Sequence, residues 1–312
     1  MDYVIGIDLG GTNLKVGAVL AHGEVIFRKH MPSGVEEGRD GTIKRLLYAI
    51  EEVRFHVKGK RLAGIGIGIA GAISMKKGIV VQAPNLPGWE DFNIKEELSK
   101  KLQWPFFVDN DANVFALGEG WCGAARHSNN FICITLGTGI GGGIVLNGEL
   151  WHGIDGTAGE IGHIIVEPEG IPCNCGGNGC LEMYASAKAL VRIAKEGKSN
   201  KAEKIADDIT ADEIAKLARA GVPYFKQIFL SQARYLGIGM ADLVNILNIE
   251  MIVIGGGLSK SCDLFLDAAR DVMVRRSFKI AGERVKVLPA ELGGDGGMLG
   301  SGFLAFKGLG LL

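Results

Sequence analysis

Apolar residues in this chain come in short blocks that end on glycine or on a polar cluster. Residues 3–9 (YVIGIDL) form one such block, which stops at Gly10-Gly11, and residues 14–20 (LKVGAVL) take the pattern up again. A glycine pair between two such runs predicts a β-hairpin, with a third strand expected over 24–29. Ile43, Leu46, Leu47, Ile50 and Val53 recur at helical spacing, so a helix is expected over 40–57. Residues 62–70 (LAGIGIGIA) read as a buried strand interrupted by glycine. A polar hairpin and the segment PNLPGW then lead to a helix over 93–102, a strand over 105–109 and a helix over 111–121.

The second half repeats this grammar. A strand and glycine turn (FICITLGTG, 131–139) and a returning strand (GGIVLNGEL) precede helices over 185–196, 211–219 and 222–246. Thr210 and Glu213 form a capping box for the second of these helices. A strand over 251–256, a helix over 261–276, a strand over 284–288 and a helix over 297–308 complete the chain. Strands alternating with helices predict an α/β protein. The glycine-tipped hairpin occurs twice, which reads as an internal repeat of one ββ unit, each opening a domain. The expected domains are 1–118, rejoined by the C-terminal helix from about 298 to 312, and 119–297. The apolar helix over 222–246 suits either a core or an interface between copies.

At 312 residues two domains are the natural expectation. The net charge of −1 favours neither nucleic acid nor an anionic membrane as partner. MDYVIGIDLGG lacks the basic and long apolar regions of a signal peptide, and no apolar run is long enough to span a bilayer. A cytoplasmic location is therefore expected. Glycine, at 48 residues, has about twice its usual share. Its placement beside apolar blocks points to tight turns and close backbone approach, not to linker.

Three of the six cysteines fall between Cys173 and Cys180. In a reducing compartment such a cluster points to metal before disulfides. With His163 it makes a Cys₃His set that suits tetrahedral Zn²⁺, although Cys-x-Cys is tighter than the usual spacing and free or redox-active thiols are the alternative. Cys122, Cys133 and Cys262 stand alone among apolar residues and are expected as small buried hydrophobes.

Asp8-Leu9-Gly10-Gly11-Thr12 is either a plain tight turn or a phosphate cradle of backbone N–H groups, with Asp8 placed for Mg²⁺. Gly137-Thr138-Gly139-Ile140-Gly141-Gly142 matches the dinucleotide fingerprint but leads into a strand where that motif needs a helix, so the match is rejected. Gly255 to Ser261 resembles a Walker A loop but lacks the glycine before the lysine. Its strand, glycines and helix still suit close approach to a ligand such as the adenosine of a nucleotide.

DLGGTN at the first hairpin, NDAN at 110–113 and LGTGIGGG at 136–143 resemble the sugar kinases of the actin-like ATPase (ribonuclease H-like) fold. Gly162-His163, nine spacer residues and CNCGGNGCLE narrow the resemblance to the ROK family (repressors, open reading frames, kinases). The likeness runs nearly end to end. It implies two lobes with a nucleotide and sugar cleft between them, and an ATP- and Mg²⁺-dependent kinase acting on the 6-hydroxyl of a hexose, glucose first. An N-acetylhexosamine, mannose or fructose kinase is the runner-up.

The resemblance also implies roles. His163, Cys173, Cys175 and Cys180 hold structural zinc, and the second ring nitrogen of His163 faces the sugar. Asp111 is the base that takes the hydroxyl proton, where an ordinary helix N-cap is the alternative; Asp109 is the other candidate cap. Asn85, Asn110, Glu160, Glu182 and the backbone at Gly71 meet the sugar. Asp8, Gly10, Gly11, Thr12, Asn13, Gly137, Thr138, Gly139, Gly256 and Gly257 meet the nucleotide. ROK repressors carry an extra helix-turn-helix, for which the start of the first hairpin leaves no room, and they would need a basic surface. A fold that binds sugar without turnover is a third reading, weakened because Asp8, Thr12 and Asp111 are all present. Homodimers or homotetramers are expected, with no nucleic acid and no membrane as partner.

Overall fold

The computed structural model describes residues 2–74, 77–83, 85–197 and 205–312. The first half runs β1 (Asp2–Leu9), β2 (Asn13–Leu20), β3 (Val25–Pro32), α1 (Gly38–His56), β4 (Arg61–Ile69), β5 (Ala72–Ser74), β6 (Ile79–Gln82), β7 (Phe92–Asn93), α2 (Ile94–Ser99), β8 (Phe106–Asn110) and α3 (Asp111–Cys122). The second runs β9 (Phe131–Leu136), β10 (Ile140–Leu146), β11 (Glu149–Leu150), α4 (Glu182–Ala185), α5 (Ala187–Gly197), α6 (Ala211–Arg219), α7 (Pro223–Leu247), β12 (Met251–Gly255), α8 (Cys262–Arg276), α9 (Lys279–Arg284), β13 (Lys286–Pro289) and α10 (Gly296–Gly308).

Two five-stranded sheets share one topology. Their strand orders are β3-β2-β1-β4-β8 and β11-β10-β9-β12-β13. In the first, β1 pairs antiparallel with β2 and parallel with β4, which pairs parallel with β8. In the second, β12 lies parallel to both β9 and β13. The internal repeat is therefore larger than the hairpin expected from sequence: it spans a whole sheet. The short strands β5, β6 and β7 form a separate antiparallel sheet where sequence gave only a polar hairpin and a loop.

The chain divides into two compact units, residues 1–129 with 143–159 and 291–312, and residues 130–142 with 160–290. The first division falls at Asn129/Asn130, past the end of α3 at Cys122. The C-terminal helix belongs to the first unit.

In the first unit β1 is apolar on both faces. Tyr3, Ile5 and Ile7 join one core with Leu46, Ile50 and Val53 of α1, whereas Val4 and Val19 pack with Met298 and Phe306 of α10. This is the period-two alternation of a strand covered on both sides. Much of the glycine excess serves that packing. A Cβ on Gly6 would strike the Met298 carbonyl, and one on Gly66 the Ser301 carbonyl, so α10 lies hard against the sheet. Ser301 Oγ fixes it there, donating to the carbonyls of Ile7 (2.7 Å) and Gly297 (2.8 Å). In the second unit α7 packs on α8, and its inward face from Phe225 to Val244 is buried, so its apolar stripe is core. Cys133 is buried as expected, but Cys122 and Cys262 are only half-buried. No described helix is long and apolar enough to cross a membrane.

Candidate active site

In the first unit, Asp8 is the next-to-last residue of β1 and faces Lys15 at 3.7 Å across the hairpin. Burial pushes the Asp8 carboxyl up from its ordinary range, and the Lys15 charge opposes that. Lys15 also donates to the Gly294 carbonyl (2.7 Å), and a Cβ on Gly297, in the first turn of α10, would lie 2.8 Å from the Asp8 carboxyl carbon. When ionised, such a carboxylate can accept hydrogen bonds from the water shell of a cation. The hairpin tip closes through Gly10 N–H to the Asn13 carbonyl (2.9 Å), leaving Thr12 and Asn13 exposed. A Cβ on Gly11 would come within 2.8 Å of the Asn85 side chain, so the predicted sugar residue Asn85 rests directly on the hairpin. The segment Gly293-Gly294-Asp295-Gly296-Gly297, which completes the surroundings of Asp8, was missed from sequence, although its four glycines beside a helix start were a usable signal.

The strand-to-helix junction at β8 and α3 differs from expectation. Asn110, not Asp109, is the N-cap: its Oδ1 accepts the N–H groups of Ala112 (2.9 Å) and Asn113 (3.1 Å). Its Nδ2 donates to the Gly71 carbonyl (2.9 Å), which leaves one of the two amide protons for any sugar contact. Gly71 adopts φ 154° and a Cβ there would strike the Gln82 carbonyl, so the backbone passes the junction in a path open to glycine. Asp111 follows as the first residue of α3, half-buried, with Oδ1 accepting the Ala112 N–H (3.0 Å).

Asp109 is 1% exposed and serves as an anchor. Its Oδ1 accepts from Asn110 N–H (2.8 Å) and Asn113 Nδ2 (2.9 Å), and its Oδ2 from His152 Nε2 (2.8 Å). Glu119, also buried, accepts from the N–H groups of Ala124 (2.8 Å), Glu291 (3.2 Å) and Leu292 (3.0 Å), which fixes the approach to α10 and the Gly293–Gly297 turn. Sequence gave neither acid these partners.

In the second unit, Gly137 N–H donates to the Gly139 carbonyl (2.9 Å) at the tip of the second hairpin, and Thr138 is exposed. Glu182 Oε2 accepts the Ile140 N–H (2.8 Å), and a Cβ on Gly139 would strike that same carboxylate. Glu182 therefore spends one oxygen on the hairpin. Gly256, at φ 80°, packs against the Leu136 backbone, and it and Gly257 are exposed beside β12. An open groove of about 600 Å³ lies beside Thr138, lined by Lys188, Val191, Lys195 and Ile209 among others. A similar groove in the first unit, lined by Lys77, Lys95 and Trp104, touches none of the predicted residues.

The ligand atoms of His163, Cys173, Cys175 and Cys180 all lie within 4.8 Å of one another. Cys175 and Cys180 Sγ are 3.5 Å apart, and Cys173 Sγ is 3.7 Å from His163 Nδ1. A tetrahedral Zn²⁺ with bonds of about 2.3 Å to sulfur spaces its thiolates by roughly 3.7 Å, so the set fits that ion. The loop is closed by Cys173 N–H to the Gly177 carbonyl (2.8 Å) and by Gly179 N–H to the Ile171 carbonyl (2.9 Å). With Nδ1 turned to the thiols, His163 Nε2 faces Glu160, 4.0 Å away. Glu160 and His163, both predicted to meet the sugar, thus stand together.

Paired sheets of one topology, each opened by a glycine-tipped hairpin, define an α/β protein of the actin-like ATPase class. The chain belongs to the ROK family, whose family model matches residues 4–307. It is 40% identical to a glucokinase of Halalkalibacterium halodurans, over 97% of this chain and 94% of that protein. A xylose repressor of Caldicellulosiruptor bescii is 35% identical over 88% of this chain and 71% of its own length. A ROK family glucokinase from Streptomyces griseus, solved in complex with glucose and AMPPNP, superposes with a TM-score of 0.86 at 34% identity, covering 98% of this chain and 99% of that one.

Proposed function

We propose that this chain is an ATP-dependent hexose kinase that transfers the γ-phosphoryl group of ATP to the 6-hydroxyl of glucose. The observation that carries this reading is the end-to-end likeness to glucokinases at 35–40% identity. The local geometry supports it. Asp111 sits at the start of α3 between two residues gripped by Asp109, with Asn110 and Gly71 beside it. In the proposed reaction the Asp111 carboxylate takes the proton of the sugar hydroxyl as that oxygen bonds phosphorus, and ADP departs. Asn85, Asn110, Glu160, His163 and Glu182 direct the sugar hydroxyls. A missing hydroxyl would leave such polar groups unpaired, which gives the site its discrimination.

The hairpin tips at Gly10–Asn13 and Gly137–Gly139, with Gly256 and Gly257, receive the nucleotide, and the groove beside Thr138 suits its base. Mg²⁺ supplies neutralisation of the phosphate charge when bound, and Asp8 is the residue that would hold it through water. Zn²⁺ would be held by His163, Cys173, Cys175 and Cys180 and would fix the His163 ring so that Nε2 keeps its direction. The cytoplasm is the proposed location and a homodimer or homotetramer the proposed assembly.

The test is a panel of hexoses and N-acetylhexosamines assayed with ATP, Mg²⁺ and a coupled ADP readout. Glucose is expected to give the highest kcat/KM. Preference for an N-acetylhexosamine would overturn the choice of glucose, and no sugar-dependent ADP would overturn the kinase.

A further inference from the structure

We infer that His152 is a positioning residue for the Asp111 base, acting through the buried carboxylate of Asp109. The inference rests on the kinase reading for its catalytic consequence and on geometry alone for its structural one.

Asp109 holds the residues on both sides of Asp111. One of its oxygens binds Asn110, the residue before Asp111, and Asn113, two residues after it. That oxygen stays in place only while the other is satisfied, because a carboxylate that is 1% exposed is costly to leave half-paired. His152 Nε2 supplies the second contact at 2.8 Å. His152 is itself held in a tight turn, its carbonyl accepting the N–H groups of Gly156 (3.1 Å) and Ala158 (3.2 Å). The charged groups around the ring are Asp109 on β8 and Lys307 on α10, and Lys307 is in turn paired with Glu149 of β11. The Asp109 hydrogen bond pulls the His152 imidazole up from its ordinary pKa, against the opposing effects of burial and Lys307.

Two substitutions separate this role from simple packing. His152→Gln keeps an N–H donor at about the reach of Nε2, whereas His152→Met keeps similar length and loses the donor. His152→Met is expected to lower kcat by about 10- to 100-fold with glucose KM within about threefold, since small misplacements of a reacting group act on kcat. His152→Gln should stay within about threefold of the parent. Amide exchange of the free protein supplies a second readout: Asn110 to Asn113 should lose protection in His152→Met and keep it in His152→Gln. Equal impairment of the two variants, or unchanged exchange at 110–113 in His152→Met, would overturn the inference. If the parent protein phosphorylates no sugar, the kinase reading fails and the exchange comparison alone decides the positioning claim.

Discussion

The two glycine hairpins look alike in sequence but are held in opposite ways. At the first, the acid belongs to the hairpin: Asp8 lies on β1, is desolvated, and faces Lys15 at 3.7 Å, while Asn85 packs on Gly11 from outside. At the second, the hairpin has no acid of its own and the carboxylate comes from outside, with Glu182 accepting the Ile140 N–H and lying against Gly139. The first tip thus carries a carboxylate of its own, whereas the second is locked by a carboxylate brought from outside. In both, a residue assigned to the sugar rests on the turn assigned to the nucleotide.

The proposed base, Asp111, lies in neither hairpin, which gives the strongest test of this division. Asp111→Asn should leave both tips intact and lower kcat by about 10²–10⁴-fold, with glucose and ATP still binding by calorimetry. Asp8→Asn removes the charge from the first tip only, and kcat should fall about 10- to 100-fold with a higher requirement for Mg²⁺. The same substitution should raise Tm at neutral pH. The folded Asp8 carboxyl is raised above its ordinary value near 3.8, so its cost is absent below that value and grows as pH rises through the folded pKa. The Tm gain should therefore shrink as the medium is acidified.

Removing the proposed zinc with a chelator should act on the second unit alone. Glu182 lies two residues past the CNCGGNGC loop and His163 completes its donor set, so glucose KM should rise by about tenfold or more while ATP hydrolysis without sugar stays unchanged. Unaltered glucose KM in a folded, metal-free sample would sever the loop from the sugar. The smallest effect is expected for Glu182→Gln, whose remaining carbonyl can still accept the Ile140 N–H, with kcat/KM a few-fold down against about tenfold or more for Glu182→Ala. Equal losses in the two would show that the hairpin lock is not what matters.

Both turns were legible in sequence because glycine between two apolar runs has few other meanings. The Cys₃His set was legible because its donor types suit zinc and the family resemblance pointed to it, since the spacing alone left free thiols open, and the four donors do come together. What sequence could not supply was the partner of each buried acid. Asp109 finds His152 and Glu119 finds Leu292 only after the sheet and α10 have assembled. For the same reason the cap was misread: Asp and Asn are about equally good caps, and Asp109 lies inside β8 with its carboxylate on His152 while Asn110 takes the cap. The reach of the repeat was underestimated too, since strand order depends on pairings between β4 and β8 or β12 and β13 that no local pattern encodes.

The most direct measurement is the structure of the product formed from ATP and ¹³C-labelled glucose, followed by NMR alongside ADP. One glucose 6-phosphate for each ADP is the predicted result. ADP released without sugar phosphate, or phosphate on any oxygen other than O6, would contradict the account.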